Sequence, residues 1–328
     1  MSEAGLRIVA AGPGASVQDL GRTGYRRFGV SVSGPMDWVA HAQALALAGQ
    51  AADAPAIEFG PGGLSVEAIG APVALGVAGG EAAGRWSHVA GRAVLAAPFA
   101  LTLAPGDRLA LRPGPGGWGT LAARGLDAWP PVLGSHATAL RAGLGPPLPE
   151  AGSLYPCAPA STAPPVLAID PVPVEGEPVL RVLPGPQTHL FGADALERLI
   201  AEPFAVTRAR DRMGVRLEGL PLIAPGGHDI VSDGLVEGAM QVPGDGNPIV
   251  LMADRAPTGG YPKIAVLARA DLPRLARLAP GREVRFRWVE PAEARAASAS
   301  LRAACTAPEP RRRNALSPSW LKAHGGWR

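Results

Sequence analysis

Short apolar runs separated by glycine and proline fill residues 56–112, which read AIEFGPGGLSVEAIGAPVALGVAGGEAAGRWSHVAGRAVLAAPFALTLAPGDRLALR. The runs are Ile57–Phe59, Leu64–Val66, Val73–Leu75, Val94–Leu95 and Leu109–Leu111. Runs of this length, bounded by Gly or Pro, are typical of β-strands that are joined by tight turns. The stretch therefore predicts an antiparallel β-barrel or sandwich.

The same pattern returns in the second half of the chain. Further strands are predicted at Val179–Leu183, Phe204–Thr207, Gly214–Leu217, Ile249–Ala253, Ile264–Leu267 and Glu283–Val289. Helical spacing of apolar residues predicts short helices at Met36–Ala48, Ala193–Ala201, 270–278 and Pro291–Ala304. The chain is therefore predicted to be mostly β, with a few short helices.

A break in this pattern divides the chain, whose 328 residues are enough for two cores. Residues 143–178 are rich in Pro, Ala and Gly and have little periodicity, which is typical of a connector. We therefore predict a first β-barrel subdomain at 1–142, a connector at 143–178, a second β-barrel subdomain at 179–296 and a C-terminal tail at 297–328.

The composition excludes several classes of function. The net charge is +3, and the body of the chain has no basic patch with interleaved aromatic residues, so no nucleic-acid partner is expected. Two cysteines cannot form a disulfide framework, and six scattered histidines lack metal-ligand spacing. No apolar run is long enough to cross a membrane and no signal peptide is recognised, so a cytoplasmic location is expected.

Residues Asp254–Lys263 read DRAPTGGYPK and concentrate groups that can bind or activate a small ligand. The chain contains only two lysines among 31 basic residues, so Lys263 indicates a need for a point cation rather than a planar guanidinium. Gly259 and Gly260 lack a Cβ, so the backbone there can take positive φ and let its N–H groups approach a small ligand closely. The alternative is a Gly-Gly turn between strands with a solvated lysine.

Three other loops carry polar groups. In Val17–Arg22, Gln18 and Arg22 could hold a planar amide or carboxylate, or Asp19 and Arg22 could pair with each other. In Gly134–Thr138, sequence neighbours rarely face each other, so we predict turn bonding by Ser135 rather than a nucleophile with its base. Gly238–Pro243 is expected to place Gln241 beside the Asp254 segment.

Two nucleotide-binding motifs are excluded. Gly114-x-Gly116-x-x-Gly119 matches the dinucleotide fingerprint in letters, but no helix of a βαβ unit follows it. The sequence also has no phosphate loop of the Gly-x-x-x-x-Gly-Lys-Ser/Thr type.

Seven motifs occur in a fixed order: Val17–Arg22, Ser33–Asp37, Val132–Ser135, Pro184–Gln187, Arg212–Leu217, Gly238–Pro243 and Thr258–Lys263. Together they resemble the biotin-dependent carboxyltransferase, or allophanate-hydrolase-subunit-2, family of the KipA type. That family includes the carboxyltransferase part of urea carboxylase and the C subunit of bacterial 5-oxoprolinase. The resemblance covers about residues 6–290. It implies two packed cyclophilin-like β-barrel subdomains and a KipI-type partner.

The chain departs from the family pattern near three of these loops. The departures lie at Thr120–Gly125, at Ala256-Pro257 before Thr258, and at Pro146-Pro147. We expect such changes to alter substrate choice or to reduce activity.

The resemblance implies a subunit of an ATP-dependent 5-oxoprolinase complex that opens 5-oxoproline to glutamate. ATP would be used together with two partners, the KipI-type B subunit of the complex and its A subunit. In this scheme Lys263 stabilises charge on the lactam oxygen and Asp254 is the general base, so both are the predicted catalytic residues. The predicted substrate-binding residues are Gln18, Arg22, Gln241, Thr258, Gly259, Gly260 and Tyr261. Arg22 and Lys263 are expected to face a common cleft between the barrels.

Two other functions remain open at this point. The first is carboxyl transfer from carboxybiotin, held on a separate carrier, to urea or a related amide. The second is a non-catalytic regulator that binds a KipI-type partner.

Overall fold

The computed structural model describes residues 4–89, 91–160, 167–169, 179–306 and 312–314. The chain forms two compact units. The first comprises Met1–Gly21, Asp37–Val172 and Ala303–Arg328, and the second comprises Arg22–Met36 and Pro173–Arg302. Parts of the predicted connector (161–166 and 170–178) and of the predicted tail (307–311 and 315–328) lie outside the described residues.

Strands account for most of the regular structure. Those of the first unit are β1 (Gly5–Ala11), β2 (Ser16–Gln18), β3 (Ala56–Phe59), β4 (Leu64–Ile69), β5 (Val73–Ala78), β6 (Ala83–His88), β7 (Gly91–Ala96), β8 (Phe99–Leu103), β9 (Arg108–Arg112), β10 (Gly119–Ala123), β11 (Leu154–Pro156) and β12 (Leu167–Ile169). Those of the second unit are β13 (Val179–Pro184), β14 (Phe204–Arg210), β15 (Gly214–Glu218), β16 (Asp233–Gly234), β17 (Ala239–Gln241), β18 (Ile249–Leu251), β19 (Thr258–Gly259), β20 (Lys263–Leu267) and β21 (Glu283–Trp288). Strand β22 (Arg312–Asn314) returns to the first unit.

The described residues contain a few α-helices, which are α1 (Trp38–Leu47), α2 (Ala193–Ala201), α3 (Leu272–Arg277) and α4 (Pro291–Thr306). Helix α1 begins at Trp38, two residues after the predicted Met36, because the Asp37 side chain caps it by accepting a hydrogen bond of 2.9 Å from the Ala40 amide. None of the helices in the described ranges is long and apolar enough to span a lipid bilayer.

The first unit is built from two sheets. One has the order β11-β1-β4-β9-β6-β7, and the other has the order β2-β3-β10-β5-β8-β12-β22. Side chains of both sheets share one hydrophobic core, and Leu6, Val66, Phe59 and Leu121 are among its fully buried members. Strand β4 illustrates why the sheets share a core. Its residues alternate between buried and half-buried, as those of a strand with one core-facing side must.

The second unit contains a closed barrel of strands β13-β20-β17-β18-β15-β14-β21. Every ladder in it is antiparallel except β13 with β21, which is parallel and closes the ring. The rings of Phe204 and Phe286 pack in its interior at a centroid distance of 5.9 Å. A separate two-stranded ribbon, β16 with β19, belongs to the same unit.

The structure confirms the mostly β prediction and shows a closed barrel in the second unit. In the first unit the described strands divide into two sheets instead. Two short strands, β11 and β12, lie inside the predicted connector, because they pair with the distant strands β1 and β8. Helix α4 extends to Thr306, past the predicted boundary at 296. The three predicted boundaries remain predictions.

A buried carboxylate links the first strand of the barrel, β13, to helix α3. Asp271, just before α3, is fully buried and accepts hydrogen bonds from the Arg181 amide at 2.7 Å, from Arg181 Nε at 2.8 Å and from Arg181 Nη2 at 2.7 Å. Arg274 adds a fourth contact of 3.2 Å. Burial by itself raises the pKa of Asp271, but the bonds from Arg181 outweigh it, and the pKa lies below its usual value. Strand β13, which holds Arg181, is thereby tied to α3.

Replacing Asp271 by Asn should destabilise the protein by about 3 kcal/mol at pH 7, because Arg181 loses its charged partner. The stabilisation by the ionised group is fully present above the unfolded pKa of about 3.9 and is lost as pH falls through the lower folded pKa. Urea unfolding at pH 7 and below pH 4 should therefore show the difference shrinking in acid. Asp245→Asn is the control, since the Asp245–Arg216 pair is exposed and its loss should cost under about 1 kcal/mol.

Candidate functional site

Lys263 is the first residue of β20 and is only 1% exposed. On one side it pairs in register with Gln241 of β17. On the other side its carbonyl accepts a hydrogen bond from the Gln187 amide, in the loop that follows β13. The interpretation of Lys263 as a solvated lysine is therefore wrong, because the residue is buried.

The charge of Lys263 is balanced by Asp233 of the ribbon strand β16. Lys263 Nζ lies 3.2 Å from Asp233 Oδ2, and the Asp233 side chain is 50% exposed. Nζ itself is closed off from solvent and has no hydrogen bond of good geometry to any described residue. An ammonium group in this position is poorly satisfied and can donate to a ligand oxygen.

Gln187 connects the lysine and the carboxylate. Its Nε2 donates to Asp233 Oδ2 at 3.2 Å, and its Oε1 accepts from the Lys263 amide at 3.2 Å. The pKa of Asp233 is held below its usual value, mainly by Lys263, with the Gly234 amide and Gln187 adding to the effect. Asp233 therefore stays ionised at neutral pH. Neither Gln187 nor Asp233 was predicted as a site residue, although Gln187 ends the Pro184–Gln187 motif.

Gln241 lies against the glycine pair. Its Nε2 donates to the Tyr261 carbonyl at 3.5 Å, which is a long hydrogen bond. A Cβ placed on Gly259 would lie 2.8 Å from this Nε2 atom and 3.0 Å from Leu235 Cδ1. We call Gln187, Asp233, Gln241, Gly259 and Lys263 the Lys263 cluster.

The positive φ that the glycine pair permits is not adopted. Neither Gly259 nor Gly260 lies in the left-handed region. The space at both positions is instead limited by close neighbours, Gln241 and Leu235 at Gly259 and the Ile230 carbonyl, 3.3 Å from an added Cβ, at Gly260. Thr258 and Tyr261 flank the pair and are exposed, so this part of the predicted site faces solvent.

The Asp254 carboxylate is engaged in an ion pair with Arg212 and is not a free base. Arg212 Nε lies 2.8 Å from Asp254 Oδ2, and Arg212 Nη2 lies 3.0 Å from Oδ1, with both side chains largely buried. Arg212 Nη2 also donates to the Gly34 carbonyl at 2.6 Å. A bidentate pair of this kind uses both carboxylate oxygens. A general-base role for Asp254 would require this pair to open.

The two predicted residues of the Val17–Arg22 loop belong to different units, Gln18 to the first and Arg22 to the second. Gln18 is fully buried, and its Nε2 donates to Ser16 Oγ at 2.9 Å and to the Thr138 carbonyl at 3.1 Å. These bonds favour a structural role for Gln18. Arg22 is 1% exposed. A cleft shared by Arg22 and Lys263 remains a prediction.

Ser135 forms the predicted turn. Its Oγ accepts from the Ala137 amide at 3.0 Å and donates to Asp19 Oδ1 at 2.7 Å. Asp19 also accepts from the amides of Gly21 and His136, at 2.8 and 2.6 Å. The turn-bonding prediction is therefore confirmed, and Asp19 organises this loop.

The chemistry of the Lys263 cluster suits a small polar organic group. It combines one cation, one carboxylate and two carboxamides. Within the described ranges, no group of three or more His, Cys, Asp and Glu side chains could hold a metal ion.

Gly185 should be essential for the geometry of the cluster. A Cβ there would lie 2.2 Å from the Lys263 carbonyl oxygen, and a strand carbonyl cannot move aside as a flexible side chain can. Gly185→Ala should cost about 2–3 kcal/mol in unfolding free energy. Gly226→Ala is the matched control, since no atom lies within 4 Å of its added Cβ, and it should change stability by under about 0.5 kcal/mol. Equal stability of the two variants in denaturant titrations would contradict the geometry.

Relatives of known name resemble the chain over most of its length. The C subunit of 5-oxoprolinase from Escherichia coli (strain K12) is 36% identical over 292 residues, which cover 86% of this chain and 90% of the relative. The solved structure of TTHA0988 superposes with a TM-score of 0.76 at 33% identity, covering 87% of this chain and 56% of the other. The urea carboxylase of Kluyveromyces lactis superposes with a TM-score of 0.81 at 25% identity, covering 97% of this chain and 30% of the other.

The chain thus spans nearly all of the bacterial protein, about half of TTHA0988 and under a third of the urea carboxylase. The family model described as "Carboxyltransferase domain, subdomain A and B" matches residues 28–288. This match covers most of the chain and confirms the family resemblance that was based on the seven motifs. The chain belongs to the carboxyltransferase domain family, subdomains A and B.

Proposed function

We propose that the chain is a subunit of an ATP-dependent 5-oxoprolinase complex, which opens the lactam of 5-oxoproline to glutamate. The observation that carries this proposal is the likeness to the C subunit of E. coli 5-oxoprolinase, which extends over 90% of that protein. The likeness to the urea carboxylase, by comparison, extends over 30% of that chain.

The Lys263 cluster supports a lactam as the group that is bound. A lactam is neutral and presents one carbonyl acceptor and one N–H donor. Lys263 supplies a buried cation at the carbonyl oxygen, where negative charge develops when the amide carbon is attacked. Because Nζ lies in a water-excluded place, its interaction with such charge is stronger than it would be in bulk water.

The proposed reaction proceeds through phosphorylation of the lactam oxygen. ATP transfers its γ-phosphoryl group to that oxygen, and ADP leaves. Water adds to the lactam carbon, the ring C–N bond breaks, and the nitrogen takes a proton, which leaves an acyl phosphate. A second water displaces phosphate and gives glutamate. Lys263 would stabilise the oxygen that carries the phosphoryl group and the tetrahedral centre next to it.

ATP would be handled with the two proposed partners, the KipI-type B subunit of the complex and its A subunit. The sequence contains no phosphate loop. The proposed contribution of this chain is therefore to bind and polarise the lactam.

In this proposal Asp254 has a positioning role. Its carboxylate holds Arg212, and Arg212 in turn binds the Gly34 carbonyl, so the pair braces the loop at residues 22–36 within the second unit. Thr258, Gly260 and Tyr261 remain proposed substrate contacts on the exposed side of the cluster.

A second candidate is carboxyl transfer from carboxybiotin to urea or a related amide. The urea carboxylase of K. lactis favours it, because its structure superposes on 97% of this chain. The same cation would then polarise the ureido carbonyl. Loss of activity on addition of avidin to the complex would support this candidate over the lactam hydrolase.

Activity should depend on partners. The purified chain alone is expected to form no glutamate from 5-oxoproline and ATP, whereas the chain with the products of the neighbouring genes should form glutamate and ADP in equal amounts. Coupled assays of both products check this, with urea as the second substrate. Robust turnover by the isolated chain would count against a heteromeric enzyme.

Lys263→Met should reduce the kcat of the complex about 100- to 1000-fold, as expected for loss of a group that stabilises developing negative charge. Its unfolding temperature should change little, because the buried ammonium, whose ion-pair partner Asp233 is half-exposed, is replaced by an apolar side chain of similar size. Arg216→Met, which removes an exposed cation of the same unit, is the control and should leave kcat unchanged. An unchanged rate for Lys263→Met would remove this lysine from the site.

A further inference from the structure

Asp233 and Lys263 present an acceptor and a donor side by side. Oδ2 and Nζ are 3.2 Å apart, and both belong to side chains of the second unit. Gln187 holds the pair in place by bonding to the Asp233 carboxylate and to the Lys263 backbone. The spacing is thus set by three chain segments and not by one flexible side chain.

A cis amide carries the complementary pair of groups. Standard bond lengths place its nitrogen and oxygen about 2.3 Å apart, and in the cis form the N–H and the C=O point to the same side. In the trans form, which nearly all open-chain secondary amides adopt, they point in opposite directions. One donor and one acceptor about 3 Å apart can therefore bind both groups of a cyclic amide but only one group of a trans open-chain secondary amide.

We propose that Asp233 and Lys263 together recognise the N–H and C=O edge of a cyclic cis amide, with Asp233 as the specificity-determining residue for the N–H. This inference rests on the proposed function, since it assigns a residue and a substrate class to the same site. Lys263 donates to the ring carbonyl, and Asp233 accepts from the ring N–H. A five-membered lactam and a five-membered cyclic urea share this edge.

Asp233 has the capacity for one more hydrogen bond. Its Oδ1 accepts from the Gly234 amide at 2.7 Å, and its Oδ2 accepts from Gln187 at 3.2 Å and faces Lys263. A carboxylate offers about four acceptor sites, so one is unused on Oδ1, and the site on Oδ2 that faces Nζ becomes available to a ring N–H when Nζ donates to the ring carbonyl. A neutral ring oxygen at the place of the N–H would turn its lone pairs toward this carboxylate and be repelled.

Ligand binding at Lys263 requires the ribbon of β16 and β19 to move. In this conformation Nζ is closed off from solvent, and Asp233 lies on β16, which pairs with Gly259 of β19. The ribbon contains only two residues in each strand, and it is separate from the sheet of the barrel. A small displacement of this ribbon would admit the ring edge to Nζ and keep Asp233 beside it.

The test compares matched ligands on the full-length chain, both alone and in the complex. The ligands are 5-oxoproline, the lactone in which a ring oxygen replaces the N–H, and imidazolidin-2-one as the cyclic urea. Calorimetry on the chain and KM or inhibition constants on the complex give the affinities. The wild type should prefer the lactam to the lactone by about 10- to 100-fold, as a hydrogen bond to a charged group predicts.

The Asp233 variants decide the outcome. Asp233→Ala should lower the lactam-to-lactone preference to about one, while Lys263→Met should weaken both ligands and leave the ratio unchanged. Asp233→Asn preserves the size of the side chain if the alanine variant does not fold, and it should reduce the ratio at least severalfold. Asp245→Ala, in an exposed ion pair of the same unit, is the control and should keep the wild-type ratio.

Two results would overturn the inference. One is a wild-type ratio that survives in Asp233→Ala, and the other is the absence of binding by all three ligands to both the chain and the complex. A cyclic urea that binds with an Asp233-dependent affinity, together with no binding of 5-oxoproline, would support the recognition of a cis amide and contradict the proposed substrate. If the complex turned over 5-oxoproline and the Asp233 variants did not change this, the proposed substrate would be supported and recognition of the cis amide by Asp233 would be contradicted.

Discussion

The position of strand β20 is the constraint on which the candidate site depends. It pairs with β13 on one side and with β17 on the other, and its first residue is Lys263. Lys263 is buried there, and Gln241 of β17 and Gln187 after β13 contact its backbone from opposite sides. Gly185 makes this possible, because any side chain there would overlap the Lys263 carbonyl. The cation is therefore placed by backbone pairing, and its chemistry follows from that placement.

Burial of the Lys263 ammonium costs free energy, which hydrogen bonds to a bound ligand would offset. A buried charge normally has several hydrogen bonds, as Asp271 does with Arg181 and Arg274. Among the described residues, Lys263 has one carboxylate at ion-pair distance, and that carboxylate is half-exposed. The contrast separates the two kinds of buried charge within one unit. Asp271 is hydrogen-bonded by two arginines and stabilises the barrel, whereas our proposal assigns the remaining donors of Lys263 to a substrate oxygen.

The carboxylates of Asp254 and Asp233 differ in a similar way. Asp254 is locked by a bidentate arginine and is suited to holding a loop, while Asp233 is half-exposed and stays ionised next to the cation. The residue that sequence proximity favoured for chemistry is thus the less available of the two. Asp233 was overlooked because nothing in its local sequence distinguishes it from an ordinary turn aspartate. Its importance arises from the pairing of β16 with β19, which places it over Lys263.

The amino-acid pattern alone was sufficient for the mostly β class, for helix α2 at its observed bounds, and for the family, because turn residues, periodicity and ordered motifs are all local signals. It also identified Lys263 and Gln241 as candidates. The pattern did not reveal the strands β11 and β12, whose pairing depends on partners far away in the chain, nor the grouping of Gln187 with Asp233 and Lys263. Local propensity determines which segments become strands. Only the tertiary pairing of strands that are far apart in the chain decides which strands become neighbours, and therefore which polar side chains are brought together.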